Sequence, residues 1–254
     1  MDILLHTIAL EPARWTPQRV SRPLAQLLPA IAERGFKQLE IYEPHLRDEA
    51  EWPEIIATLT SLGLKAEILS SYLDLKTSEN FDDLKRRLDA FGFTKARIFP
   101  SAPATEEGMN TLAVRLRRLS ARIPGVEILL ETHDGSLADD PPLLVRMMEE
   151  LSHPRIGLLY QPTFFDAERS LRQFELEKPF IRHLHLQGRR ADTSFTRLED
   201  GLVPWSRIIT ELSPEVNATL EFVPCAVCPP EQFDLAAALS EARSETDYAR
   251  LLAM

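Results

Sequence analysis

Two cysteines, Cys225 and Cys228, are all that the 254 residues hold, so no disulfide framework supports the fold. Nine glycines leave no Gly-rich phosphate loop after an early strand, which argues against a dinucleotide-binding sheet. No apolar run approaches the ~20 residues that cross a bilayer, so no membrane partner is expected. The opening MDILLHTIAL is short and is followed at once by Glu11, Pro12 and Arg14, unlike a secretory signal. The expected location is the cytoplasm. Basic residues are also in deficit, 29 Lys and Arg against 39 Asp and Glu, for a net charge of −10. A nucleic-acid binder needs a basic footprint to displace counterions. The visible cluster, Arg115, Arg117 and Arg118, reads as the solvated face of a helix. Nucleic acid is rejected as the main partner.

What is present is a rhythm. Eight short apolar runs recur at a spacing of roughly thirty residues, the size of one βα unit. They are ILLHTIAL from Ile3, FKQLEIY from Phe36, LKAEILSSY from Leu64, KARIFP from Lys95, VEILLETH from Val126, RIGLLYQ from Arg155, IRHLHLQ from Ile181 and NATLEFV from Asn217. Their Ile, Leu and Val content suits strands buried on both faces. Between them lie amphipathic segments with helix punctuation, such as Asp140-Pro141 before LLVRMMEEL. Thr16-Pro17 likewise predicts a helix start, with Gly35 as its stop. FDDLKRRLDAFG, TLAVRLRRLSARIPG and SRIITEL carry the same helical spacing. Eight strand–helix repeats in a chain near the ~250 residues of a barrel predict a single α/β domain over 1–254, a (β/α)8 TIM barrel.

Barrels keep their chemistry at the C-terminal ends of the strands, and several runs end in polar residues. Strand side chains alternate, so Glu131 shares a face with His133, His185 with His183 and Gln187, and Glu221 with Thr219. By the same alternation Glu40 and Tyr42 share a face, and His6 joins the candidates from the first strand. Buried charges are costly unless paired or bound to a metal. Two carboxylates and an imidazole in one phase therefore suggest a divalent cation with oxygen and nitrogen ligands. Cys225-Ala-Val-Cys228 could form half a zinc site or a redox pair, but nothing nearby completes either, and chance loop cysteines are the expected reading.

GFKQLEIY, LLETHDGSLADDP, HLHLQG and TLEF resemble the second, fifth, seventh and eighth strands of the xylose isomerase-like barrels, also called sugar phosphate isomerase/epimerases, and GLVPWSRII resembles the segment that opens their last helix pair. SSYLDL and KARIFP resemble the 3-dehydroshikimate dehydratase-type branch. The resemblance covers nearly the whole chain. It implies Glu131, His185 and Glu221 as metal ligands, and His133, Tyr72 and Arg97 as acid/base or substrate-facing groups. His45 and Gln187 join the expected substrate-binding residues. The family's fourth ligand, an aspartate ending strand six, is here Gln161, followed by Pro162, Thr163 and Phe164. Its lysine two residues beyond the metal histidine is Gln187, and the next residue is Gly188. A neutral amide holds a hard cation less tightly than a carboxylate does.

The resemblance implies a metal-dependent isomerase or epimerase using Mn, Mg, Co or Zn on a sugar-like or cyclic hydroxy-acid substrate. Proton abstraction by Glu131 or Glu221, with His133 nearby, would give an enediolate. Two alternatives stand beside it: a 3-dehydroshikimate dehydratase-like lyase, and a divergent barrel that only binds a sugar-like ligand. Endonuclease IV barrels share the architecture but need a larger His and Asp cluster, and this chain has six histidines. Homo-oligomers through the outer helices are compatible with the resemblance.

Overall fold

The computed structural model describes residues 1–14, 20–78 and 81–254. Every apolar run expected as a strand contains one. They are β1 (Ile3–His6), β2 (Gln38–Tyr42), β3 (Lys65–Ser70), β4 (Lys95–Ile98), β5 (Glu127–Glu131), β6 (Ile156–Tyr160), β7 (Ile181–Leu186) and β10 (Asn217–Leu220). They form one closed parallel sheet in the order β1-β10-β7-β6-β5-β4-β3-β2, with helices in the connections. Successive residues such as Leu129 and Leu130, or Leu158 and Leu159, are fully buried, so both strand faces are covered.

Helices begin where side chains can take the first orphan N–H groups, each cap stabilising by about 1 kcal/mol. Thr105 caps α4 (Glu106–Arg122), Asp140 caps α5 (Pro141–Leu151), Asp166 caps α6 (Ala167–Glu177) and Asp234 caps α8 (Leu235–Leu252). The expected start at Thr16-Pro17 lies outside the described residues. The described helix α1 runs Leu24–Glu33, preceded by Pro23, and Gly35 follows it at φ +80°. The other helices are α2 (Trp52–Leu62), α3 (Asp82–Phe91) and α7 (Trp205–Thr210). Arg115 and Arg117 lie on α4 and donate to the carbonyls of Ser78 and Glu150, so part of that basic face is engaged in holding neighbouring segments. Among the described residues no helix is long and apolar enough to cross a membrane.

Contacts divide the chain into two compact units, Met1–Glu67 with His185–Met254, and Ile68–Leu184. In the first, His6 stands beside Glu40 and Leu4 beside Thr219. By alternation His6, Glu40, Thr219 and Glu221 therefore share one sheet face. The first strand is shorter than its apolar run. His6 Nδ1 accepts the Ile8 N–H, and Thr7–Leu10 turns into a 3-10 helix. A hairpin absent from the sequence reading, β8 (Gly188–Arg189) with β9 (Phe195–Thr196), follows β7. A Cβ on Gly188 would lie 2.2 Å from the Thr196 carbonyl oxygen, so only glycine fits there.

In the second unit the register runs Ser70–Arg97–Leu129–Gly157 and Glu131–Leu159–His183. Pairing jumps from Leu158–Ile181 to Leu159–His183, which leaves Arg182 as an extra residue in a bulge. The Arg182 side chain lies against Gly157, where a Cβ would come within 2.2 Å of its Cγ.

Candidate functional site

In the first unit, polar groups gather around Glu40, which is fully buried. His185 Nε2 lies 3.0 and 3.2 Å from its two carboxylate oxygens, and His6 Nε2 lies 3.4 Å from one of them. The His6 and His185 rings meet edge-on, with centroids 5.7 Å apart. The far side of the His185 ring, Nδ1, lies 3.6 Å from Glu221 Oε2. His6, Glu40 and His185 are also close enough together to hold a metal ion.

A second group in this unit was not anticipated as a cluster. Glu11, just after the 3-10 helix, is fully buried, and its Oε2 accepts the Ser21 N–H at 2.6 Å. His45, in the 3-10 helix Glu43–Leu46, places Nε2 3.4 Å from Glu11 Oε1. Burial pushes the Glu11 carboxyl up to about 7 and holds the His45 imidazole down to about 3. His45 is then neutral at neutral pH, and Glu11 keeps its proton through the mildly acidic range. Arg14 donates to the Glu11 and Ile8 carbonyls and spans to the Ala226 carbonyl, while its guanidinium lies 5.2 Å from the Phe222 ring centre. Burial lowers Arg14 to about 10, still cationic at neutral pH, with Glu221 the first of the nearby charges opposing that fall. The sequence gives no periodic signal for Glu11 or Arg14, because both sit in irregular chain after β1.

Gln187 is buried just beyond β7; its Oε1 accepts from Arg189 Nε at 2.7 Å and its carbonyl from the Trp205 indole at 3.0 Å. The Arg189 guanidinium stacks 3.4 Å from the Phe195 ring centre, so the unforeseen hairpin fixes Gln187. Cys225 is exposed and Cys228 half-buried, both as free thiols. Local desolvation and the Glu241 carboxylate push the Cys225 thiol up to about 12, which opposes the thiolate that zinc or redox chemistry needs.

In the second unit, Arg97 and Glu131 are each about 1% exposed, with Nε and Oε2 3.0 Å apart. This is a charge contact without hydrogen-bond alignment. Arg97 also donates to the Ser71 carbonyl and lies against two aromatic rings that touch each other, 4.1 Å from the Phe99 centre and 5.1 Å from that of Tyr72, with the ring centres 5.6 Å apart. His133 lies past the end of β5, partly exposed, edge-on to Phe99 and with Nδ1 3.0 Å from Asp134. Gln161 follows β6. Its backbone N–H and carbonyl are both tied to the Thr132 hydroxyl, whereas its side-chain Oε1 is buried without a hydrogen bond.

A sequence profile described as xylose isomerase-like TIM barrel matches residues 28–219. Over 176 residues the chain is 24% identical to the 3-dehydroshikimate dehydratase of Bacillus anthracis, an alignment covering 61% of this chain and 63% of that protein. The chain thus matches less than two thirds of that relative's length. The crystal structure of the probable 3-DHS dehydratase involved in petrobactin synthesis, also from Bacillus anthracis, superposes with TM-score 0.72 at 21% identity, over 94% of this chain and 98% of that one. A xylose isomerase-like barrel protein from Mycobacterium smegmatis, solved in complex with magnesium, superposes with TM-score 0.67 at 15% identity, over 100% and 98% of the two chains.

Proposed function

Because the chain belongs to the xylose isomerase-like TIM barrel family, we propose that it is an enzyme that removes a proton beside the carbonyl of a small polyhydroxylated compound, using a divalent cation held by Glu131, Gln161, His185 and Glu221. The observation that carries this reading is the Gln161 amide oxygen, buried and without a hydrogen bond in a residue whose backbone is otherwise satisfied. Such an oxygen costs about 1–3 kcal/mol to bury unless something electropositive meets it. Two carboxylates, one imidazole nitrogen and one amide oxygen suit Mn, Mg, Co or Zn. When bound, the ion supplies Lewis-acid polarisation of the carbonyl.

The chain's own residues divide the remaining work. Glu131 or Glu221 takes the proton, and His133, reached from solvent, passes it on. Tyr72, Arg97, His45 and Gln187 surround the substrate and set its orientation. We favour loss of a β-hydroxyl, which takes the proton passed on by His133 and departs as water, a dehydration of a cyclic hydroxy-acid such as 3-dehydroshikimate, over proton return by isomerisation or epimerisation. The support is the 24% identity to a dehydratase and the Tyr72–Arg97–Phe99 cluster, a cation lying over two adjoining aromatic rings on the unit that carries Glu131.

One observation favours a second reading, a barrel that binds such a compound without turning it over. Arg97 already offsets the charge of Glu131, and Gln161 adds none, so cation affinity is reduced at the outset. Elemental analysis of protein purified without chelator, with turnover assays on 3-dehydroshikimate and a panel of ketoses, separates the two. The enzyme reading expects one equivalent of divalent metal and a loss of at least about 100-fold in turnover on Glu131→Gln. Absence of metal together with no turnover after metal addition supports the binder instead.

A further inference from the structure

The environment of Glu40 extends beyond the ligand set, and the role inferred for it rests on the proposed metal site. His6 Nδ1 accepts the Ile8 N–H at 3.1 Å, so the proton of a neutral His6 ring sits on Nε2, facing Glu40 Oε1. His185 also turns Nε2 to Glu40, at 3.0 Å. A carboxylate flanked by two ring N–H donors is satisfied by them, and all three side chains are fully enclosed. For His6 to bind a cation through Nε2 it would have to move its proton to Nδ1, which abandons the Ile8 N–H and with it the cap of the 3-10 helix. His6 is therefore a donor here and not a ligand.

We propose that Glu40, backed by His6, is the positioning residue of His185: it accepts the Nε2 proton, fixes the ring in one tautomer and one orientation, and leaves the Nδ1 lone pair as the ligand directed toward Glu221. Histidine ligands are commonly oriented in this way by a carboxylate on their second nitrogen, and loss of that partner weakens metal binding about 10–100-fold. Here the carboxylate comes from β2 and is itself held by the neighbouring strand through the His6–Glu40 register pair.

Two measurements test this. Long-range ¹H–¹⁵N correlation spectra of the metal-free protein at pH 8 read the tautomers directly. The wild type is expected to show His185 and His6 protonated at Nε2, and Glu40→Leu to populate the Nδ1–H form of His185. Calorimetric titration with Mn²⁺ and with Zn²⁺ reads affinity. Expected are a 10–100-fold weaker Kd in Glu40→Leu, a several-fold loss in the better-folding Glu40→Gln, and only a few-fold loss in His6→Asn. His185 protonated at Nδ1 in the wild type, or an unchanged Kd in both Glu40 variants, overturns the proposal. Loss of binding in His6→Asn as complete as in His185→Ala also overturns it, by placing the cation among His6, Glu40 and His185. A wild type that takes up no metal sinks the metal-site reading alone, since the tautomer measurement still decides the role of Glu40.

Discussion

Glu40 and Glu131, on the strands, are buried beside nitrogen: two imidazoles for the first, a guanidinium for the second. Glu11 and Glu177, off the strands, are buried just as deeply with less. Glu11 has the Ser21 N–H and, at 3.4 Å, a His45 imidazole that burial keeps uncharged, and Glu177 on α6 has the Gln173 amide. Burial is the largest influence on both, pushing Glu11 up to about 7 and Glu177 up to about 8. The strand carboxylates are offset by charge or strong donors and can serve as bases or ligands. The peripheral ones relieve their burial by keeping a proton, which makes them structural and sensitive to alkali.

The sharpest way to break this contrast is to remove the cation from one strand carboxylate. Arg97→Met removes the guanidinium beside Glu131 and is expected to cost about 3–5 kcal/mol in urea unfolding with chelator present, most of it recovered by adding Glu131→Gln. A loss under about 1 kcal/mol would mean that Glu131 is buried no differently from Glu177. Next in size is Glu177→Gln. The folded-state value lies above the unfolded one, so its stability contribution is whole below about 4.5 and is lost as pH rises through about 8. At pH 9 the variant should therefore exceed wild type by about 3 kcal/mol, with little difference at pH 5.

The smallest effect, about 2 kcal/mol, is expected for Glu11→Gln at pH 8. Glu11 loses its contribution as pH rises between 4.5 and about 7. His45 has the opposite sign: its folded value is depressed, so its contribution is whole above 6.5 and is lost as pH falls toward about 3. In the overlap the two slopes oppose each other. Melting temperatures between pH 4.5 and 6.5 should climb with pH in Glu11→Gln and decline with pH in His45→Phe. Parallel profiles for the two variants would refute the separate titrations.

The eight strands were legible because runs such as ILLHTIAL and RIGLLYQ are too apolar for anything but a doubly covered strand. The α5 start was legible because Asp140-Pro141 is a local signal. Strand ends were less so. His6 stops β1 by capping the next turn, a choice that depends on one side-chain nitrogen and not on apolar period. The side-chain phase of Glu131, His185 and Glu221 follows from alternation, but their partners do not. The Arg97–Glu131 and Glu40–His185 contacts join residues far apart in sequence, and only the register brings them together. The β8–β9 hairpin that engages Gln187 went unseen because its strands are two residues long.

The surplus residue in β7 has a reach well beyond its own position. Had Arg182 been matched normally, Leu184 and Leu186 would stand in step with Leu159 and Gln161, and the two imidazoles would point to the opposite side of the strand. Gly157 makes that stagger tolerable by lacking a side chain where Arg182 must lie. A residue with no side chain thus leaves the room in which the bulged Arg182 lies, and a methyl group added there would come within 2.2 Å of the Arg182 Cγ and press on the bulge that sets the phase of the strand.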